Sequence, residues 1–112
     1  MLNKLVAAII KQEESAGLIE VAIVDDRQIK KLNKKFRKKD KPTDVLAFPY
    51  GGGEPIIGDV IISRPITLRN AKKYGVTYQQ ELKRLVIHGV LHVLGYDHGK
   101  EMSHAEKIYE KL

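Results

Sequence analysis

One long helix is marked at both of its ends in the sequence. Thr77 and Gln80 form a capping-box pattern, in which two side chains satisfy free backbone N–H groups of the first turn. Gly95 suits the left-handed conformation that commonly ends a helix. These signals predict a helix that opens at Thr77, runs through Leu94 and is followed by a turn of the chain.

This predicted helix carries two histidines, and a third follows the turn. His88 and His92 are four residues apart, so their Cβ atoms lie about 5–6 Å apart on one face. His98 comes three residues after Gly95. Three neutral imidazole nitrogens that leave a fourth position open for water are typical of a catalytic zinc site. The sequence therefore predicts a metal-binding histidine helix, with one ion held by His88, His92 and His98. The fourth histidine, His104, lacks such spacing, and we expect it at the surface.

The histidine spacing is that of the metzincin proteases, H-E-x-x-H-x-x-G-x-x-H, but Gly89 replaces the glutamate. Without this general base, peptide hydrolysis loses its usual proton acceptor. A metal ion still acts as a Lewis acid and lowers the pKa of bound water. Phosphodiester cleavage fits these remaining properties, because a metal and a nearby arginine can neutralise phosphoryl charge.

Two carboxylates near the histidines have alternative interpretations. Glu81 is seven residues before His88; we expect a solvent-exposed helix residue there, with a contact to the histidines as the alternative. Asp97 either orients His98 or caps the turn, and the sequence does not decide between these roles.

The basic charge is concentrated in one segment. The formal net charge is +6, and residues 30–41 hold eight basic side chains against one acid, Asp40. Such a segment suits a polyanion such as nucleic acid, although a solvated helix face is an equal alternative. Tryptophan is absent, so base stacking would depend on other aromatic residues, among which the sequence does not choose: Phe36, Phe48, Tyr50 and Tyr96.

Length and composition limit the class of protein. A chain of 112 residues suits one domain with one core. Because cysteine is absent, a metal site must use His, Asp or Glu. The apolar run Leu5–Ile10 is too short to span a membrane, and no plausible signal-peptide cleavage region follows it. We therefore expect a cytosolic protein that does not bind a membrane.

Hydrophobic periodicity predicts four further helices. The first contains Leu2, Leu5, Val6, Ile9 and Ile10. The second follows a capping box at Asp25 and Gln28 and buries the stripe Ile29, Leu32 and Phe36. The third has Pro65 in its first turn and stops at Gly75, and the last contains Met102, Ala105, Tyr109 and Leu112.

Three β-prone segments complete the predicted fold. They are a buried strand at 18–24 and strands at 45–48 and 56–62, with a loop at Pro49 and 51–53. We therefore predict an α+β fold, a single domain over residues 1–112 with a small mixed β-sheet packed with four to five helices.

Three sequence blocks resemble one known family. HGVLHVLGYDH at 88–98 is similar to the H-G-x-L-H-x-x-G-Y-D-H motif of the YbeY family, bacterial rRNA maturation factors that are single-strand-specific, metal-dependent endoribonucleases. LNKKFRKKDKPTDVLAFP at 32–49 is similar to its L-N-x-x-[YF]-R-x-x-x-x-P-T-D-V-L-S-F-P block. IGDVIIS at 57–63 is similar to L-G-D-I-x-I-S.

This resemblance implies residue roles and a function. It implies that His88, His92 and His98 bind one metal ion, usually zinc, although nickel, copper and iron also suit three histidines. It singles out Arg37 among the basic residues as an active-site residue, so we expect Arg37 and His92 to be required for catalysis. The implied function is maturation of ribosomal RNA, especially at the small-subunit 3′ end, and ribosome quality control. The implied partners are single-stranded RNA and the small ribosomal subunit.

The chain departs from the family pattern in three places. Ala47 replaces a usual serine. The first predicted helix begins almost at Met1, where the family has a preceding strand, so we expect a sheet with one strand fewer. The segment after His98 is also shorter than the family's final helix.

Two other functions compete with a ribonuclease. One is a ribosome-assembly factor that binds RNA and whose metal is mainly structural. The other is a metalloprotease, which Gly89 disfavours.

Overall fold

The computed structural model describes residues 2–50 and 55–112, and in them the predicted α+β fold is confirmed. In chain order the elements are α1 (Leu2–Gln12), β1 (Leu18–Val24), α2 (Asp26–Arg37), β2 (Val45–Pro49), β3 (Ile56–Ser63), α3 (Arg64–Tyr74), α4 (Tyr78–Val93) and α5 (Lys100–Tyr109). The loop predicted at 51–53 lies outside the described residues, and Pro49 belongs to the end of β2.

The three strands form a mixed sheet in the order β1-β3-β2. Central β3 pairs in parallel with β1 and antiparallel with β2. The prediction that 18–24 is a buried strand is wrong in its burial, because β1 lies at an edge of this sheet. Only Ile19 of β1 is buried, whereas Leu18 is 62% exposed and Ile23 is 42% exposed.

Helix α4 packs across the sheet, and its side chains form the centre of the core. Its backbone comes so close to β3 that a Cβ atom added at Gly89 would lie 2.5 Å from Val60 Cγ1. Gly58 of β3 approaches Val93 of α4 in the same way. The core combines apolar side chains from both elements with others from α1 and α5: Val6, Ile9, Ile10, Val60, Ile62, Leu85, Val86, Val90, Leu91, Met102, Ala105 and Tyr109.

The capping signals in the sequence are confirmed. Both predicted capping boxes form, Asp25 with Gln28 before α2 and Thr77 with Gln80 before α4. Helix α3 has Pro65 in its first turn and ends at Gly75, whose φ is +67°.

The buried stripe predicted for α2 is partly wrong. Ile29 is buried as expected, but Phe36 is 57% exposed, and Asn33 is buried in its place. The Asn33 amide donates a hydrogen bond of 2.8 Å to the carbonyl oxygen of Lys41, which ties α2 to the segment before β2. Ile29 and Asn33 are the buried residues of α2, and Arg37, which is exposed, follows them at the same interval of four residues.

The last helix follows its predicted pattern for three of four residues. Met102, Ala105 and Tyr109 are buried, whereas Leu112 lies beyond the end of α5 and is 58% exposed. None of the helices in the described ranges has the length and apolar character needed to cross a membrane.

Candidate metal centre

The end of α4 sets the path of the chain between the second and third histidines. The N–H of Gly95 donates to the carbonyl of His92 at 3.1 Å, and the N–H of Tyr96 donates to the carbonyl of Leu91 at 2.9 Å. These two bonds form a Schellman motif, which requires the positive φ of Gly95, +103°. The motif reverses the chain and brings His98 back beside α4.

The three predicted ligand residues come together. One ring nitrogen from each of His88, His92 and His98 lies within 4.8 Å of the others. The ring centroids are 4.6 Å apart for His88 and His92, 4.8 Å for His92 and His98, and 5.6 Å for His88 and His98. The third histidine is therefore close to both helical ones, as the spacing predicted.

These three imidazole nitrogens suit a metal ion that prefers nitrogen ligands. Two nitrogens bound tetrahedrally at about 2.1 Å to one zinc ion lie about 3.4 Å apart. The three nitrogens, which all lie within 4.8 Å of one another, are near enough to reach that arrangement with small side-chain movements. Burial lowers the pKa of His92, and the neighbouring His88 and His98 lower it further. A lowered pKa favours the neutral imidazole, which is the form that binds a metal.

A carboxylate on α5 contacts the first histidine. Nδ1 of His88 lies 3.4 Å from Oε2 of Glu106, and both side chains are mostly shielded from solvent. When Nδ1 donates its proton to a carboxylate, the imidazole keeps its other nitrogen, Nε2, free for a metal. Glu106 carries no signal in the sequence, because its position depends on how α5 packs against α4.

The three histidines line a cavity of about 480 Å³, and Arg37 lines the same cavity. Arg37 lies four residues after Asn33 at the end of α2. It lines this cavity, although the residue is exposed to solvent. The other lining residues come from β2, from α4 and from the turn after α4: Asp44, Val45, Ala47, Pro49, Gly89, Gly95, Tyr96 and Asp97. The structure thus brings Arg37 and all three histidines to one surface.

Two carboxylates lie on the wall of the cavity. Asp44 Oδ1 accepts a hydrogen bond of 2.8 Å from the N–H of Val45, so Asp44 also organises the start of β2. Asp97 is exposed, and its charge acts to raise the pKa of His92 against the larger lowering effects. Both carboxylates line the cavity, and Asp97 is the one that acts on His92.

The close packing of α4 on the sheet explains why residue 89 is a glycine. An added Cβ at this position would lie 2.5 Å from Val60 Cγ1 and 3.3 Å from Val45 Cγ2. A glutamate would have to displace buried strand residues, so a protease-type general base has no room on this helix face.

The expectation that Glu81 is exposed is wrong. Glu81 is 1% exposed, and its carboxylate binds Arg84 through two hydrogen bonds of 2.9 and 2.6 Å. Asn70 donates a further bond of 3.4 Å to Glu81. The partners of this carboxylate are therefore Arg84 and Asn70, which satisfy a charge buried between α3 and α4.

A second carboxylate that the sequence did not indicate, Glu13, holds the turn between the histidines. Glu13 accepts hydrogen bonds from the hydroxyl groups of Tyr96, at 2.7 Å, and Tyr109. In the sequence, Glu13 is 83 positions from Tyr96 and 96 positions from Tyr109, so no local pattern could reveal these contacts. Because Tyr96 lies between His92 and His98, Glu13 anchors the segment that carries the third histidine.

The remaining sequence predictions concern surface groups. His104 is exposed, as expected. The eight basic residues of the segment 30–41 are also exposed, and Lys30 and Lys34 are each 4.0 Å from Asp40. The segment therefore presents most of its positive charge to solvent.

Comparisons with known proteins agree with this arrangement. The family model described as Endoribonuclease YbeY matches residues 1–111. A protein of that name from Aquifex aeolicus is 50% identical over 95 residues, which cover 82% of this chain and 63% of the relative. Another from Persephonella marina is 44% identical over 96 residues, which cover 81% of this chain and 63% of the relative.

A solved structure is also similar. The solution structure of TM1509 from Thermotoga maritima has 37% sequence identity and a TM-score of 0.73, covering 98% of this chain and 77% of that one. The chain spans about 63% of the length of the Aquifex and Persephonella relatives. With a family match over residues 1–111 and the three histidines in one cluster, this chain belongs to the Endoribonuclease YbeY family.

Proposed function

We propose that residues 1–112 form a metal-dependent endoribonuclease domain that cleaves single-stranded RNA. The observation that carries this proposal is the shared cavity of Arg37 and the three histidines. Family membership supports the same reaction, since the relatives are named as endoribonucleases.

In this proposal His88, His92 and His98 hold one ion, for which zinc is our first choice. Three neutral nitrogens suit zinc and leave one coordination position for water. When bound, the ion would supply Lewis-acid chemistry and lower the pKa of water at the site. Glu106 holds the ring of His88, and the anchor at Glu13 holds the turn that carries His98.

Arg37 has the role of stabilising negative charge on the phosphoryl group. A guanidinium group offers several N–H donors to phosphate oxygens. Arg37 lines the histidine cavity, so one phosphodiester could face the histidines and Arg37 together. Removal of one such donor from an enzyme typically lowers the rate by about 10²–10³-fold.

The substrate we propose is ribosomal RNA, with processing of the small-subunit 3′ end and ribosome quality control as the cellular role. The basic segment 30–41 would follow the RNA backbone, because it exposes its positive charge beside the cavity. The small ribosomal subunit is the proposed partner, and the cytoplasm is the expected location.

The direct test is cleavage of a labelled single-stranded RNA, with the same sequence as a duplex for comparison. We expect cleavage of the single strand that stops with a chelator and in the His92→Ala variant, and a loss of about 10²-fold or more in Arg37→Ala. His104→Ala is the matched control, because this histidine is exposed and lies outside the cluster.

Other outcomes would favour the competing functions. RNA binding that survives metal removal and Arg37→Ala, with no cleavage by the unmodified protein, would indicate a binding factor with a structural metal. Turnover of casein that stops with a chelator would indicate a protease.

A further inference from the structure

An exposed aromatic ring lies one residue before Arg37. Phe36 is 57% exposed at the C-terminal end of α2, where the hydrophobic pattern had placed it in the core. An exposed aromatic ring among lysines offers a flat apolar face next to positive charge. These properties suit a ligand that is flat, apolar on its faces and attached to negative charge.

The ring of Phe36 has contacts with two neighbouring side chains. Its centroid lies 5.3 Å from that of Phe48, with an angle of 63° between the ring planes. This edge-type contact leaves at least one face of Phe36 free of Phe48. Lys35 Nζ lies over the same ring, 5.3 Å from its centroid. The ring is thus partly exposed next to a cation, and a base that stacks on the face under Lys35 would displace that long, flexible side chain.

Arg37, the residue after Phe36, lines two cavities. One is the histidine cavity, and the second, of about 320 Å³, is formed with Asn33, Lys39, Lys41, Pro42, Thr43 and Leu46. Along β2, Val45, Ala47 and Pro49 line the histidine cavity, whereas Leu46 lies in the second cavity. Alternate residues of a strand face opposite sides, so Phe48 lies on the same side of β2 as Leu46.

We propose that Phe36 is a stacking platform for one base of a single-stranded RNA, beside the phosphodiester that faces the histidines. This inference rests on the proposed function and names a subsite for its substrate. The strand would pass from the histidine cavity over Arg37 to the basic cavity, with Lys39 and Lys41 near a flanking phosphate and the attached base on Phe36.

This subsite would contribute to selection of single strands. Every base has a π-face, so stacking on an aromatic side chain tolerates any sequence. In a duplex both faces of an internal base are already stacked, and such a base could reach Phe36 only after unpairing. Stacking therefore adds affinity for an unpaired strand, whereas the lysines alone bind any polyanion.

A tryptophan reporter tests the stacking directly. The chain contains no tryptophan, so Phe36→Trp introduces a single tryptophan at the proposed contact, and its emission can be excited selectively beside the five tyrosines. We expect its emission to be quenched by a single-stranded RNA, checked to be intact on a gel, but not by an abasic oligomer of equal length and charge. Tyr74→Trp is the matched control, since Tyr74 is 55% exposed beside Lys73 at the end of α3, and this helix, unlike α2, contributes no residue to either cavity.

Affinity measurements provide the second readout. Loss of one base–aromatic stack lowers affinity by roughly 5- to 150-fold, so Phe36→Ala should bind the RNA more weakly by a factor in this range. Its affinity for the abasic oligomer and its Tm should match those of the unmodified protein, because the side chain is exposed. Phe36→Tyr should restore RNA binding.

The outcomes separate this subsite from the proposed function. Binding of RNA is measured by the anisotropy of a labelled strand. If RNA binds but does not quench Phe36→Trp, or if Phe36→Ala binds RNA with unchanged affinity, the stacking proposal is overturned. The proposed ribonuclease function is unaffected by either result. Equal quenching of Tyr74→Trp would also overturn the stacking proposal. If the unmodified protein neither binds nor cleaves RNA, both proposals are overturned.

Discussion

Nδ1 of His88 on α4 lies 3.4 Å from the carboxylate of Glu106 on α5. This contact links the first histidine of the cluster to a helix that contributes no histidine to it. Helix α5 packs on the core through Met102, Ala105 and Tyr109. The orientation of His88 therefore depends on the docking of α5 as well as on α4.

Glu106→Ala should weaken metal binding more than it weakens the fold. Loss of a carboxylate that orients a metal-binding histidine typically costs about 10–100-fold in metal affinity. Competition with a chromophoric chelator measures this change, and the Tm of the metal-free protein measures the effect on the fold. Glu110→Gln, which removes an exposed charge just after α5, is the control. Equal metal affinity in Glu106→Ala and the unmodified protein would show that Glu106 does not act on His88.

Stability should fall in alkaline solution because of Tyr109. Burial and the hydrogen bond to Glu13 raise the pKa of Tyr109 above its ordinary value of 10.0. The unfolded chain then ionises this hydroxyl at lower pH than the folded protein, so its contribution is complete below pH 10 and is lost as pH rises above it.

Tyr109→Phe should remove that part of the pH dependence. The slope of unfolding free energy above pH 10 should be shallower in Tyr109→Phe than in the unmodified protein, by at most about 1.4 kcal/mol per pH unit. Urea unfolding at several pH values measures the slope. Parallel slopes in the two proteins would contradict the prediction.

Gly89→Ala should destabilise the protein although alanine favours helices. The new methyl group would meet Val60, which is completely buried, and overpacking of a core typically costs about 1–3 kcal/mol. Gly to Ala in a helix otherwise gains up to about 1 kcal/mol. Urea unfolding should show the net loss, and Val60→Ala in the same chain should offset part of it. A stabilised Gly89→Ala variant would mean that the close approach of α4 to β3 is not required.

Arg84→Ala should be among the most destabilising substitutions outside the apolar core. It would leave Glu81, which is 1% exposed, without its two strongest hydrogen bonds. Removal of one partner of a buried ion pair typically costs about 3–5 kcal/mol, and we expect a loss at or below the lower end of this range because the Arg84 side chain is 38% exposed. The double variant Glu81→Leu/Arg84→Leu should recover much of this loss, because no unpaired charge remains. If Arg84→Ala unfolds at the same urea concentration as the unmodified protein, the pair has no structural role.

Local signals in the sequence predicted much of the fold and the histidine cluster. Capping boxes, the turn at Gly95 and the i, i+4 spacing of His88 and His92 depend on neighbours within a few residues, and all of them appear in the structure. Arg37 could not be distinguished from seven other basic residues by local pattern. Family resemblance selected it, and the structure places it on the wall of the histidine cavity.

The errors of prediction arise where distant segments decide burial. Glu81 is buried because Arg84 and Asn70 satisfy its charge. Asn33 is buried because its amide binds the carbonyl of Lys41, whereas Phe36, which the pattern placed in the core, is exposed. The contacts of Glu106 and Glu13 cross the chain and have no local pattern. Hydrophobic periodicity does not encode such polar contacts, so the supports of the histidine cluster required the structure.

The most direct test of the central claim is a zinc titration of metal-free protein, with the rate of single-stranded RNA cleavage as the readout. The histidine-bound ion is predicted to be required, so the rate should rise from near zero to a plateau at one ion per chain. His92→Ala should remain near zero throughout. Cleavage at the full rate by the metal-free protein, or an unchanged plateau in His92→Ala, would contradict the claim.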